Sequence, residues 1–361
     1  MPTTVTKSVG SAVGRDYASI TSWEAQNLNL VTLDQLQVGE MYNDSLFNES
    51  VIFAGWNTDA TRYITLKAAS GHEHGLVRGA GVLVSPNDVT TNLTIINLGS
   101  GTHKYTRLTG FSIGEVTLTN SGGTGLFLTA CAPGFGSIYT FTRLLLYDFN
   151  GVVSSTGSIG LRGVFGGGTG TSIAINCVAM DFHFSGAGAG AGTAQPIFWS
   201  FNAVTEVYNC TVLGAGNLNG GATAGYGCNS AGTHKNNLSF VDSGGSGYVY
   251  NGVPTQDSNT SSDATASGAN AVINATASDY FTDAGAGTED PTLKVGSPAI
   301  DTGVDLSGLF TDDAKGTTRP QGGAWDRGAH EAPGTGQPAI RRFGGCRFAR
   351  ELIGIEGVRV Y

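Results

Sequence analysis

Asp148 and Asp181 are each followed by a phenylalanine (Phe149, Phe182), and His183 comes two positions after the second aspartate. If successive turns of a coil stack in register, residues one turn apart lie ~4.8 Å from each other across the strand pairing. Two carboxylates at that distance repel, so one takes up a proton and becomes an acid, or the pair recruits a cation, for which oxygen ligands suit Ca2+. Asp148, Asp181 and His183 are therefore candidate catalytic residues, and Asp148 with Asp181 a candidate metal site. The plainer expectation is structural: an aspartate at a strand end caps the turn through nearby backbone, and the phenylalanines mark a corner. No other residues in the chain call for a cofactor. Arg107 and Arg143 fall in one column of the same arrangement, where they would bind an acidic sugar or lie over apolar neighbours. Trp56, Phe198 and Trp199 could form a sugar platform, with core packing the simpler use. Gly166-Gly-Gly-Thr-Gly170 lacks the Gly-Lys-Ser/Thr ending of a phosphate-binding loop.

These residues are positioned by a repeat. Segments 106–113, 142–149, 175–182, 208–215, 236–243 and 257–264 align with one another, at a spacing that shortens toward the end of the chain. Their third column reads Leu108, Leu144, Cys177, Cys210, Leu238, Asn259, and the column before it holds Asn176, Asn209 and Asn237. Aliphatic over aliphatic and asparagine over asparagine is the pattern of stacked parallel coils, with the amides bonding from one coil to the next. Strand alternation turns Leu144 and Leu146, Cys177 and Ala179, Cys210 and Val212, and Leu238 and Phe240 inward, and leaves the fourth column facing out.

Composition agrees with one elongated unit. The 361 residues include 56 glycines and only 13% charged residues, yet 40% are hydrophobic, enough to fill a core with many tight turns around it. A net charge of −9 argues against nucleic acid as a partner, since phosphate binding needs clustered Lys and Arg. No apolar run approaches the ~18 residues of a membrane span. The five cysteines show no Cys-x-x-Cys pairing, and the first residues lack a basic stretch followed by an apolar run. Free thiols and synthesis in a reducing cytoplasm are expected. Sequons such as Asn92-Leu-Thr94 and Asn237-Leu-Ser239 fall in expected strands, so glycosylation is not expected.

Residues 1–50 read as an N-terminal cap with a short amphipathic helix over 17–26, started by Ser19 and Ser22. Residues 51–265 read as the coil, opening with strands at 51–53, 63–66, 82–84 and 93–96. A C-terminal cap follows over 266–331. The segment 332–361 is basic: Arg341, Arg342, Arg347, Arg350 and Arg359 face only Glu351 and Glu356, so it reads as an anchoring or oligomer contact on an acidic surface.

Gly14-Arg-Asp-Tyr-Ala-Ser-Ile-Thr-Ser-Trp-Glu-Ala25, Ser297-Pro-Ala-Ile-Asp-Thr-Gly303, Arg319-Pro320 and Trp325-Asp-Arg-Gly-Ala-His-Glu331 together resemble the two ends of right-handed parallel β-helix proteins of the pectate-lyase-like superfold, found in bacteria and bacteriophages. The tail from Pro338 to Tyr361 resembles C-terminal extensions of tailed-phage structural proteins. The resemblance implies an all-β fold: a single-stranded right-handed parallel β-helix (solenoid) with an N-terminal cap and a short C-terminal extension. It also implies a virion structural protein, a capsid decoration or a fibre or spike, made in the host cytoplasm. Expected partners are virion proteins such as the major capsid protein, copies of itself in a homotrimer, and host glycans, but neither nucleic acid nor membrane. Pectate lyases of this superfold use several Ca2+-binding aspartates with a basic residue, and polygalacturonases group aspartates on neighbouring strands; neither full set is present. A polysaccharide depolymerase or lyase and a non-catalytic glycan-binding surface protein are the alternatives.

Overall fold

A computed structural model of the chain describes residues 1–86, 93–98, 103–120, 126–131, 136–153, 161–167, 169–185, 198–201, 204–217, 224–228, 231–242, 245–250, 252 and 254–334. It is all-β, with three long parallel sheets. Sheet I holds β1 (Thr3–Val9), β2 (Gln35–Met41), β4 (Ile64–Ala68), β7 (Tyr105–Thr109), β10 (Ile138–Thr142), β13 (Thr171–Ile175), β16 (Val204–Tyr208), β19 (Gly232–Lys235) and β22 (Thr255–Asp257). Sheet II holds β5 (Leu83–Val84), β8 (Ser112–Asn120), β11 (Leu145–Val153), β14 (Val178–Ser185), β17 (Thr211–Asn217), β20 (Leu238–Phe240) and β23 (Thr260–Ser261). Sheet III holds β3 (Val51–Phe53), β6 (Leu93–Leu98), β9 (Leu126–Cys131), β12 (Leu161–Gly167), β15 (Phe198–Phe201), β18 (Ala224–Cys228) and β21 (Ser246–Tyr250). From β7 to β23 the chain visits sheets I, II and III in rotation, and every strand pairs in parallel with the strand one circuit away, a connectivity compatible with a parallel β-helix.

The register corrects the expected alignment at two places. Tyr105 pairs with Ile138, Ile138 with Thr171 and Thr171 with Val204, so the period is already uniform from the first of these rungs. Leu108 therefore lies beside Phe141, three positions from its expected place, and Arg107 lies beside Thr140 instead of over Arg143. Farther on, Tyr208 pairs with Lys235 and Thr211 with Leu238, a shift of one. A shift of one residue reverses the face of every side chain in a strand. Leu238 and Phe240 accordingly belong to the cluster outside sheet II, whereas Leu144, Leu146, Cys177, Ala179, Cys210 and Val212 lie in the interior as expected.

The coil turns its corners with left-handed backbone. One column, Gly110, Arg143, Asn176, Asn209, Asn236 and Ser258, has φ between 50° and 79°. A second, Glu115, Asp148, Asp181 and Gly214, has φ between 55° and 65°, and pairing in sheet II skips Asp148 and Asp181. Asn and Asp bear this conformation better than other side chains because they bond to local backbone. The asparagine column thus runs through Asn236, one residue before the expected Asn237.

Asn237 points inward and continues the cysteine row. The Cys210 amide donates to Asn237 Oδ1 at 2.9 Å, and the Asn237 amide donates to Asn259 Oδ1 at 3.0 Å. The Asn237 side-chain amide reaches Val207 O at 2.9 Å and Asn259 Oδ1 at 3.2 Å, and that of Asn259 reaches His234 O at 2.8 Å. These buried polar groups are paired, so replacing aliphatic residues with asparagine costs little in the final rungs.

Both ends of the stack are covered. Helix α1 (Ile20–Glu24) starts at Ser19 with a reciprocal Ser19–Ser22 cap, and its Trp23 lies fully buried 5.6 Å from the Trp56 ring. Glu49 accepts from the Ile20 and Thr21 amides, and helix α2 (Leu30–Leu33) adds Leu30 to the core. At the far end, bridges from Asp257 to Ala269 and Thr260 to Val272 carry the chain across the last rung. Helix α3 (Ala277–Tyr280) and the antiparallel pair β24 (Phe281–Asp283) and β25 (Asp290–Leu293) then begin a strap that runs back along the outer face of sheet II. It buries Leu145, Tyr147, Val178, Met180 and Leu213 under Tyr280, Phe281, Leu293, Ala299 and Ala329. Each such aliphatic or aromatic side chain contributes about 1.5–3 kcal/mol when fully buried.

The asparagine corner is the rail that holds this strap. Asn176 donates to Asp312 O at 2.7 Å, Asn209 to Asp326 O and Gly328 O at 2.8 and 3.0 Å, and Asn236 to Val304 O at 2.8 Å. Only one bond runs coil to coil among the three, from Asn236 Nδ2 to Asn209 Oδ1 at 3.0 Å. Arg319 and Glu331, paired at 2.9 Å with neither side chain exposed, fasten the strap internally.

Asn209→Ala removes three buried hydrogen bonds and places a β-carbon residue without local bonding at φ 50°. We expect a loss of about 3 kcal/mol in denaturant unfolding, with Asn209→Gly about 1 kcal/mol milder because glycine accepts that backbone freely. Equal losses for the two variants would show that the corner conformation carries no cost.

Candidate functional site

The second left-handed column brings the expected aspartates together. Asp148 and Asp181 project from consecutive rungs of sheet II, and His183, two residues on, lies on the same face. His183 donates from Nδ1 to Asp181 Oδ1 at 2.5 Å and from Nε2 to Asp242 Oδ2 at 3.0 Å. With both ring nitrogens donating, the imidazolium is favoured; the hydrogen bond to Asp181, then that to Asp242, lift His183 to about 9. The same His183 bond holds Asp181 down at about 2. Burial raises the Asp148 carboxyl, and the hydrogen-bonded Asp181 adds to the rise against the opposing pull of Arg78. One carboxyl of the pair thus tends toward the acid and the other toward the base.

Little in the sequence warns of the remaining members. Arg78 arrives on the loop 71–81, where Gly75, Gly79 and Gly81 take positive φ. A β-carbon at Gly81 would meet the Glu73 carbonyl at 2.6 Å, so this turn admits only glycine. His74 anchors the loop from inside: Nε2 donates to Arg143 O at 2.8 Å, Nδ1 accepts from the Leu76 amide at 2.9 Å, and burial keeps the ring neutral by lowering it to about 4. Arg78 Nη1 then donates to Asp148 and, at 3.3 Å, to Asp181, while Nη2 donates to Glu289. Tyr147 closes one side by accepting from the Gly79 amide and donating to Glu115, both at 3.1 Å.

Glu289 comes from the strap. Its column partner on the coil is Gly214, where a β-carbon would lie 2.6 Å from Glu289 Oε1. The strap carboxylate therefore occupies the fourth place of the row Glu115, Asp148, Asp181. Burial pushes the Glu289 carboxyl above the usual range. Two cavities flank it, one of about 300 Å3 toward Asp242 and one of about 410 Å3 toward Leu76 and Lys315.

The positive charge that the stacked aspartates call for is supplied by Arg78. Among the described residues no group of three or more His, Cys, Asp or Glu side chains has the arrangement of a metal site. A loop rich in glycine around a single arginine, Gly75-Leu-Val-Arg-Gly-Ala-Gly81, was the available signal for Arg78; nothing local marks Glu289, which comes far along the chain from Asp181.

Other expected positions separate. Arg143 pairs with Asp312 at 3.1 Å, and the Arg107 guanidinium lies 4.0 Å over the Tyr63 ring. Trp56 and Phe198 are core residues, and the Trp199 side chain lies outside the described residues. Cys177 and Cys210 are buried free thiols, and burial raises Cys210. Arg341, Arg342, Arg347, Arg350 and Arg359 lie outside the described residues.

No protein-family model matches the chain, and a search of curated proteins finds none similar to it in sequence.

The cluster gives stability a defined pH window. Asp181, at about 2 against its ordinary 3.8, contributes stability that is complete above pH 3.8 and lost as pH falls toward 2. His183, at about 9 against 6.5, contributes stability that is complete below pH 6.5 and lost as pH rises through 9. Asp148 and Glu289, raised by burial, have the sign of His183 and favour the fold most in acid. We therefore expect His183→Gln to lower the thermal midpoint most near pH 6 and to match the unmutated protein by pH 10. A gap independent of pH would show that the imidazolium is not what the two aspartates hold.

Proposed function

We propose that the chain is a structural protein of a bacteriophage particle. In this reading the three sheets close into a single-stranded right-handed parallel β-helix, which serves as a capsid decoration, fibre or spike. It is made in the host cytoplasm, assembles as a homotrimer, and is held to the particle by its termini, with the major capsid protein among its contacts. The reading is supported above all by how the most regular side-chain rows are used. The asparagine corner binds strap to coil, the inner row binds coil to coil, and the acidic row is bridged by Arg78 and His183 instead of standing open. Such rows suit a rod whose task is to keep its shape.

A polysaccharide depolymerase or lyase is the second reading. It is favoured by the split between Asp148, raised, and Asp181, lowered to about 2, because glycoside hydrolysis separates an acid from a base in this way. A glycan-binding role without catalysis finds support in a shallow cavity of about 110 Å3 beside Tyr63, Tyr105 and Arg107, aromatic and basic groups that suit a sugar ring. Ca2+ belongs to the lyase reading and would have to displace Arg78 from the aspartates.

Replacing Arg341, Arg342, Arg347, Arg350 and Arg359 together by Gln tests the anchor. The variant should keep the fold and the trimer mass in light scattering, and should cosediment with particles at less than a tenth of the ordinary level. Undiminished incorporation would refute anchoring, and a monomer mass for the unmutated protein would refute the trimer. Release of reducing ends or unsaturated uronates from acidic polysaccharide, abolished in Asp148→Asn, would replace the particle reading with the enzymatic one.

A further inference from the structure

Beside the ion cluster, coil and strap enclose a notch whose charges are out of balance. The cavity of about 300 Å3 has apolar walls from Leu213, Phe240 and Val241, with Asp242 and Glu289 as its charged groups. The Glu289 side chain is 1% exposed, and its Oε2 accepts from Arg78. Its Oε1 meets no donor in good hydrogen-bond geometry among the described residues, and the nearby backbone amides of Glu289 and Gly287 lower the carboxyl's pKa less than burial raises it. That oxygen faces Gly214, itself part of the cavity wall. Around the notch, Asp148, Asp181, Asp242 and Glu289 share two cations, Arg78 and His183. A buried carboxylate oxygen without a well-placed donor is costly, and a donor brought from outside removes that cost.

We propose that this notch binds a basic group on an aliphatic stem, a guanidinium or an ammonium, which donates to Glu289 Oε1 in its depth and to Asp242 at its rim. The stem lies against Leu213, Phe240 and Val241, the arrangement by which long basic side chains bury their methylenes while keeping the charge paired. A guanidinium fits best, because its fixed fork of donors can serve two carboxylates at once. The volume is at the small end of pockets that hold small molecules, which excludes an extended glycan. The group can come from this chain's own basic segment, with its five arginines after residue 340, or from a free ligand. The proposal stands apart from the particle reading, since either source is compatible with a rod or an enzyme.

The probe is N-acetyl-arginine amide, titrated calorimetrically into the full chain, with the uncharged N-acetyl-citrulline amide as control. Saturable binding of the arginine probe alone, weakened at least tenfold in both Asp242→Asn and Glu289→Gln, is the expected result. Asp242 is 46% exposed, so Asp242→Asn keeps the test valid should Glu289→Gln unfold. A chain that binds the probe only after Arg341, Arg342, Arg347, Arg350 and Arg359 are changed to Gln has its notch filled by its own arginine, which supports the same chemistry with an internal source. Absence of saturable binding in both proteins, equal binding of the citrulline control, or undiminished affinity in Asp242→Asn overturns the proposal.

Discussion

Left-handed backbone at fixed places in each turn is the constraint on which the rest of this molecule depends. A parallel sheet runs straight unless something bends it, and here the bend between sheets I and II is made at Gly110, Arg143, Asn176, Asn209, Asn236 and Ser258. A second column of the same kind, Glu115, Asp148, Asp181 and Gly214, interrupts the ladder of sheet II. Non-glycine residues in this conformation are uncommon and are kept where surrounding bonds compensate. The asparagine corner finds its compensation in the strap carbonyls, and the acidic column finds it in Arg78 and His183.

Corner and strap are for that reason one structure. The outer face of sheet II carries Leu145, Tyr147, Val178, Met180 and Leu213, an apolar surface that needs cover. The strap provides it, and the same segment delivers Glu289 to the row of carboxylates opposite Gly214. The candidate site thus forms where three parts of the chain far apart in sequence meet: the loop 71–81, the coil, and the strap. Its acid and base character follows from burial on one side and from paired cations on the other.

Much of this could be read in advance. The regular interval between rungs placed Asp148, Asp181 and His183 together, and the rows Leu144 to Cys177 to Cys210 lie in the interior as the pattern required. The strands around Val51, Ile64, Leu83 and Leu93 are present within a residue or two, and the helix started by Ser19 is present but shorter than the expected 17–26, spanning Ile20–Glu24. One error, at Leu108 and Arg107, lies where the period is already uniform; the other arose where the period changes. Shorter coils, from Tyr208 to Lys235 and from Lys235 to Asp257, follow the uniform ones, and a one-residue slip still superposes asparagine on asparagine. Asn236 and Asn237 are adjacent and chemically identical, and only their backbone conformations and partners distinguish a corner from a core position.

By itself the sequence determined the repeat, the parallel stacking and the interior rows as far as Cys210 and Val212, since these depend on local strand alternation and on a period written directly in the chain. Tertiary structure alone decided what covers the outer face of sheet II and which cation meets the stacked aspartates. Arg78 precedes Asp148 by two full turns of the coil, Glu289 follows Asp181 from beyond the coil's last rung, and an ion pair between such positions leaves no periodic trace. The cause is physical: strand pairing imposes a regular spacing on its partners, whereas a charge accepts any partner that the folded chain carries within reach.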